Sequence, residues 1–263
     1  MRILQITDTH LFGNSEQALL GMNTSVSFER IISDIANDSL SADLIVATGD
    51  IAQDASEQAY LHFDAAVRKL SCPYYWIPGN HDDREVMTSL ALADNPFIGD
   101  AALGNWLLIM LDTSVRGSVH GLLPESELQR LAQLLESVER NKSLQHSLIF
   151  LHHNPIQGNA GWMSDIGLHN ADEFRELLAR YSSVRAVVYG HIHQELDAVY
   201  DGIRYICTPS TCIQFKPGVE DFALDRKTPA YRWLELQDNG EINTWVHRLE
   251  NFKIQIDERA AGY

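Results

Sequence analysis

The chain has 263 residues, 45% of them hydrophobic and 21% charged, with a formal net charge of −16. That size and apolar content suit one large α/β or sandwich domain, and no apolar run approaches the roughly 18 residues of a membrane span. So acidic a surface repels a polyphosphate backbone, which excludes DNA and RNA as main partners, while a small anion is still accepted wherever bound cations reverse the local field.

In chain order, the segment Met1-Arg2-Ile3-Leu4-Gln5-Ile6 reads as a strand, with none of the features of a secretory signal. The apolar run Ile3 to Thr7 ends at Asp8-Thr9-His10. An amphipathic helix follows over Ser25 to Asn37, then the run Leu44 to Thr48 into Gly49-Asp50. A second helix over Glu57 to Leu70 leads to Tyr74 to Ile77, which ends in Gly79-Asn80-His81-Asp82. Leu107 to Leu111 ends at Asp112 with no such polar cluster. Helix Glu125 to Asn141 precedes Ser147 to Leu151 and His152-His153; helix Ala171 to Tyr181 precedes Ala186 to Tyr189 and Gly190-His191-Ile192-His193. Beyond this the pattern changes to strands joined by tight turns. Glu195 to Tyr205 bends at Asp201-Gly202, and Tyr231 to Leu236 joins Ile242 to Leu249 through Asp238-Asn239-Gly240. The part from about 195 to 250 therefore completes a sheet with antiparallel strands, within one domain spanning 1–263. Cys72, Cys207 and Cys212 are odd in number and contain no C-x-x-C pair, which predicts three buried thiols, no disulfide and a cytoplasmic protein.

Taken singly, each polar cluster has an ordinary reading. An Asp after a strand is often a helix N-cap, Gly-Asp is a common turn, Asn80-His81 can be a plain turn, and one of two adjacent histidines is often core. Five clusters in order, each behind an apolar run, point elsewhere, because loops past the carboxyl ends of strands converge at one edge of a layered α/β fold. Carboxylate, amide and imidazole donors suit Mn, Fe and Zn. Asp8, His10, Asp50 and His193 could hold one ion, and Asp50, Asn80, His152 and His191 a second, with Asp50 as bridge. The glycines beside Asp50, Asn80 and His191 are expected to let the backbone turn sharply.

This set of motifs resembles the calcineurin-like metallophosphoesterases over residues 3 to about 217. Within them the chain is similar to the class III 3',5'-cyclic AMP phosphodiesterases of bacteria, on Arg2 to Phe12, Leu44 to Asp50, Gly190 to Asp197, Thr208-Pro209-Ser210-Thr211-Cys212 and Gln214-Phe215-Lys216-Pro217. The resemblance implies a four-layer α/β/β/α sandwich, two divalent ions (Fe and/or Mn), and hydrolysis of cyclic AMP to 5'-AMP by a metal-bridging hydroxide. It places the metal ligand at the first of the adjacent histidines, His152, and leaves His153 behind it. It also implies a cyclic-nucleotide substrate, with His10, Asp50, Asn80, His81 and His193 meeting it and His81 and Asp50 as the catalytic pair. His81 is the candidate general acid and phosphate ligand, or else a hydrogen-bonding turn residue. Asp82 is expected to orient a histidine or close the turn.

Four rival readings stay open, a nucleotide-sugar pyrophosphatase among them. Protein phosphatases of the superfamily carry Gly-Asp-x-x-Asp-Arg-Gly, but here the text is Gly49-Asp50-Ile51-Ala52-Gln53-Asp54-Ala55, without the arginine. A broad phosphodiesterase is compatible, since Trp162 and Phe215 could stack on a base or could pack in the core. A non-catalytic interaction module would be expected to lack part of the ligand set, which is complete here.

Overall fold

A computed structural model of the chain describes residues 1–91, 97, 99–158, 160–257, 259–260 and 262. In chain order the elements are β1 (Arg2–Ile6), the short strands β2 (Ala18–Leu19) and β3 (Met22–Asn23), α1 (Thr24–Asn37), β4 (Leu44–Thr48), α2 (Glu57–Val67) and β5 (Tyr74–Ile77). Next come α3 (Arg84–Leu90), β6 (Gly99–Leu103), β7 (Trp106–Met110), α4 (Glu125–Arg140), β8 (His146–Phe150), α5 (Ala171–Leu178) and β9 (Val184–Tyr189). The last are β10 (Leu196–Tyr200), β11 (Ile203–Cys207), β12 (Gln214–Phe215), β13 (Leu224–Asp225), β14 (Ala230–Leu236) and β15 (Ile242–Arg248).

Two sheets carry the architecture, in the orders β15-β14-β1-β4-β5 and β10-β11-β9-β8-β7-β6. β1, β4 and β5 run parallel in the first, and β7, β8, β9 and β11 run parallel in the second. Alternation along the strands sets the layers. Ile3 and Val46 face Leu108, Phe150 and Val188 in a core between the sheets. Leu4, Ile6, Ile45 and Ala47 point the other way, into a cluster with Phe28 and Ile31 of α1 and Phe63 of α2. On the far side Ile109, Ile149 and Val187 pack with Leu131 and Leu135 of α4 and Phe174 of α5. The result is the expected four-layer α/β/β/α sandwich.

The inter-sheet layer also holds a polar column. Gln5 donates to Thr48 Oγ1 at 2.8 Å and to the Tyr189 carbonyl at 3.2 Å, and accepts from Thr208. Arg232, 2% exposed, donates to Thr208 Oγ1 at 2.9 Å, the Cys207 carbonyl at 3.0 Å and Thr244 Oγ1 at 3.1 Å. The bonds of Gln5 to Tyr189 and Thr208, and of Arg232 to Thr208 and Cys207, cross from one sheet to the other and lock their offset.

Several boundaries differ from the sequence reading. α2 gives way to a 3-10 turn over Arg68–Leu70, and α5 stops at Leu178, where single turns replace the helix up to Tyr181. α3 and β6 were not anticipated. α3 is only seven residues long and lays Val86, Met87 and Leu90 on the outer core, and β6 reads Gly-Asp-Ala-Ala-Leu, without β-branched or aromatic residues. The carboxyl-terminal strands extend both sheets rather than one: β10 and β11 join the second, β14 and β15 the first. Both expected turns are present, with Asp201 (φ 51°), Gly202 (φ 80°) and Gly240 (φ 88°) in the left-handed region. All three cysteines are free, but only Cys207 and Cys212 are buried; Cys72 is half-buried, its thiol donating to the Ala42 carbonyl at 3.4 Å.

Phe63 stacks on Phe28 (centroids 5.3 Å apart) and on Trp76 (6.1 Å) in the outer core of the first sheet. Phe63→Ala is expected to lower stability by about 3–5 kcal/mol, read as a fall in the urea midpoint at unchanged slope.

Candidate metal centre

The carboxyl ends of β1, β4 and β5 from one sheet and of β8 and β9 from the other meet at one rim. The residues they deliver are not in ordinary backbone conformations. Asp8 (φ 53°), His10 (φ 46°), Asp50 (φ 49°), His191 (φ 69°) and His193 (φ 46°) all occupy the left-handed region. For residues with a Cβ this costs roughly 1 kcal/mol or more each, and such strain concentrates at functional sites. The neighbouring glycines do something other than expected. Only Gly49 takes a positive φ, at 90°; a Cβ on Gly79 would sit 2.1 Å from Asp50 Oδ1, so that glycine is required for close approach.

One group of donors comprises Asp8, His10 and His193, all fully buried. His10 Nδ1 lies 2.6 Å from Gln53 Oε1, and His193 Nδ1 lies 2.9 Å from the Ile213 carbonyl. Those acceptors fix the proton on Nδ1 of each ring. Both Nε2 atoms then carry lone pairs, and they face one another at 3.1 Å. His193 Nε2 is 3.3 Å from Asp8 Oδ1. Two facing lone pairs and a carboxylate oxygen repel one another in the absence of a cation and converge favourably upon one.

The second group is Asp50, Asn80, His152 and His191. His152 Nδ1 is 2.7 Å from the Thr48 carbonyl and His191 Nε2 is 2.9 Å from the Ile166 carbonyl, so those nitrogens donate outward and the opposite nitrogen of each ring faces the centre. Asp50 Oδ2, Asn80 Oδ1, His152 Nε2 and His191 Nδ1 are all buried; Asn80 Oδ1 and His191 Nδ1 have no hydrogen-bond partner among the described residues, and Asp50 Oδ2 and His152 Nε2 meet as an ion pair. Buried polar atoms left unpaired cost about 1–3 kcal/mol each, so two beside a buried ion pair call for a ligand. Asp50 Oδ2 sits 3.3 Å from His152 Nε2 and 3.7 Å from His10 Nε2, between the two groups, where a bridging carboxylate belongs. The donor set fits two divalent cations in the 3d series.

The surrounding residues settle several open points. His153 has both ring nitrogens engaged, Nδ1 with Thr113 Oγ1 at 2.7 Å and Nε2 with the Val119 carbonyl at 3.2 Å, so it ties down the 113–121 loop behind the centre. Asp82 accepts from the backbone amides of Ile51, Ala52 and Gly79 at 3.1, 2.9 and 2.8 Å and so closes the two loops carrying Asp50 and Asn80. His81 is half-buried at the mouth; its amide donates to Asp50 Oδ1 at 2.9 Å, and its ring meets that of His10 edge-on at 5.1 Å. Phe215 stacks on the outer face of His193 at 4.3 Å, and Trp162 packs edge-on against Phe215, which assigns both to packing rather than base stacking. Gln53, which orients His10, carried no sequence signal beyond its place three residues after Asp50.

Burial opposes ionisation of Asp50, but the imidazoles of His152 and His81 hold its carboxyl well below the usual range. Burial likewise opposes protonation of His152, yet the Asp50 carboxylate beside it pushes that ring up to about 9. Burial lowers His10 and His191 to about 3.

A sequence profile of the calcineurin-like phosphoesterases matches residues 1–195. The chain is 42% identical to a protein of Escherichia coli K12 named 3',5'-cyclic adenosine monophosphate phosphodiesterase CpdA, covering 100% of this chain and 95% of that one. It is 38% identical to a Pseudomonas aeruginosa protein of the same name, over 99% and 94%. In fold it is similar to a dimetal phosphatase from Danio rerio, with a TM-score of 0.64 at 17% identity over 89% of this chain and 94% of that one. It is also similar to a purple acid phosphatase from yellow lupin, with a TM-score of 0.67 at 14% identity over 93% and 53%.

Without metal, the buried imidazoles make stability depend on pH in a definite sense. His10 and His191 bind fewer protons folded than unfolded between about pH 6.5 and 3, so acidification across that window destabilises the fold. His152 has the opposite sign: its contribution is complete below about pH 6.5 and is lost as pH rises to about 9. Chelator-stripped protein should therefore show its highest melting temperature near pH 6.5. A melting temperature that climbs steadily from pH 6.5 to 9 would contradict the His152–Asp50 pair.

Proposed function

Because the chain belongs to the calcineurin-like phosphoesterase family, we propose that the rim of buried donors is a dinuclear hydrolytic centre that cleaves 3',5'-cyclic AMP to 5'-AMP. The observation that carries this reading is the convergence of four buried donor atoms, on Asp50, Asn80, His152 and His191, beside the lone-pair contact of His10 and His193. The substrate is supported by relatives at 38–42% identity over nearly the whole chain, each named for cyclic AMP hydrolysis.

Asp8, His10, Asp50 and His193 hold one cation, and Asp50, Asn80, His152 and His191 the other. We take Fe and/or Mn as the ions, since imidazole and carboxylate donors suit both. When bound, the two cations acidify a water molecule and neutralise charge on the phosphoryl oxygens. The protein's residues do the rest. The carbonyls of Thr48, Ile166 and Ile213 and the amide of Gln53 fix the tautomer and direction of each ligating ring. Asp82 holds the Asp50 and Asn80 loops in register. His10, Asp50, Asn80, His81 and His193 line the place where the cyclic phosphate docks. Water adds across the bond from phosphorus to O3', leaving the phosphate on O5', and the departing O3' takes a proton from His81, which stands at the mouth beside Asp50.

Residues 1–263 are read as one domain, because β14 pairs with β1 and β15 with β14, which joins the carboxyl-terminal part to the first strand. The three free thiols support a reducing compartment, the cytoplasm, and the relatives in Escherichia and Pseudomonas a bacterial source.

Metal-loaded protein offered cyclic AMP, bis(p-nitrophenyl) phosphate and p-nitrophenyl phosphate should release 5'-AMP and act weakly on the monoester; turnover of the synthetic diester without cleavage of cyclic AMP would discard the substrate. Asn80→Ala and His191→Ala should lower both bound metal and turnover. His81→Ala should keep the metal and reduce turnover by about 10²- to 10⁴-fold, and its loss of metal would reassign the residue.

A further inference from the structure

Beside the centre, and sharing Gly79 and Asn80 with it, lies a cleft of about 260 Å³. One wall is Asp83, Arg84 and Glu85, and the other is Ser114, Val115 and Arg116. Its volume is near the lower bound for small-molecule sites, about 300 Å³. The cavity on the opposite side of the centre, against His193 and Phe215, is only about 80 Å³ and has no room for a nucleoside.

The cleft is a built feature. Asp112, 6% exposed, accepts from the amide and hydroxyl of Ser114 at 2.8 and 2.6 Å and holds Arg84 Nε at 3.2 Å. One buried carboxylate thus ties the two walls together. Ser118 N donates to the Val115 carbonyl at 3.0 Å, and Gly117 has φ 76°, so Arg116 sits at the tip of a tight turn. From that tip Arg116 Nη1 reaches to 3.8 Å from Glu85 Oε1. The mouth of the cleft therefore presents a planar donor fork next to a carboxylate acceptor.

Both side chains are exposed, and a guanidinium alone would suit guanine; it is the carboxylate beside it that favours adenine. Adenine shows an acceptor at N7 beside a donor at N6, whereas guanine shows acceptors at both N7 and O6. Building on the substrate reading above, we propose that the cleft receives the nucleoside of the diester and that Arg116 and Glu85 read its base. The guanidinium donates to N7 and the carboxylate accepts from the N6 amino group. Guanine would place O6 against Glu85, acceptor against acceptor.

The test measures kcat and KM of metal-loaded full-length protein for cyclic AMP, cyclic GMP and bis(p-nitrophenyl) phosphate. Glu85→Lys, which turns the acceptor into a donor, should lower the ratio of kcat/KM for cyclic AMP to that for cyclic GMP by at least about tenfold. Arg116→Ala should weaken cyclic AMP hydrolysis about five- to tenfold relative to the same variant's turnover of the synthetic diester, through KM rather than kcat. Wild type that cleaves cyclic AMP, with both variants keeping its ratios, overturns the base-reading pair alone. Wild type that cleaves the synthetic diester but neither cyclic nucleotide overturns this inference and the substrate reading together.

Discussion

The structure depends on a repulsion. Seven side chains from both sheets bring carboxylate oxygens, an amide oxygen and imidazole nitrogens to one buried rim, with facing ring nitrogens at 3.1 Å and Asn80 Oδ1 and His191 Nδ1 unpaired among the described residues. Five of these residues also hold left-handed backbone. Nothing in such a place is at its own optimum. The rim persists because the rest of the fold over-determines it, and because two cations turn mutual repulsion into shared attraction.

The over-determination is visible in the layers. Each sheet buries both faces, so no strand can slide without exposing Ile3 or Leu4, Val46 or Ile45. The column from Arg232 through Thr208 and Gln5 to Thr48 fixes one sheet against the other, and Thr48 is the residue whose carbonyl orients His152. Core register is thereby passed directly to a ligand. The loops carrying Asp50 and Asn80 are held by Ile51 and Ala52, buried in the outer core, and by the carboxylate of Asp82 on three amides.

Much of this was legible in the sequence, for identifiable reasons. Strands such as Leu44–Thr48 and Tyr74–Ile77 are buried along their length and read as unbroken apolar runs, so their ends coincide with the polar residues that stop them. The ligand set could be picked out because each donor follows such a run. α3 and β6 escaped because a seven-residue helix repeats its apolar positions only once, at Val86, Met87 and Leu90, and an edge strand of Gly, Asp, Ala and Leu has no alternation to detect. The orienting partners escaped for another reason. Three of the four are backbone carbonyls, which every residue has, and the fourth, Gln53, has an ordinary side chain. His152 and His153 differ only in what lies opposite them, and that is a property of the assembled sheets.

β1 is the middle strand of its sheet, with Leu4 paired to Ile45 on one side and to Trp233 on the other. As the chain is synthesised, β4 and β5 follow β1 within a few dozen residues, whereas β14 emerges only after every strand of the second sheet. For most of elongation the strand leading to Asp8 must therefore expose one row of amides and carbonyls, flanked by Ile3, Leu4 and Ile6. An open apolar edge of that kind recruits foreign strands. The half-made chain, rather than the finished molecule, is the species most exposed to aggregation, and the last hairpin acts as the closing clasp.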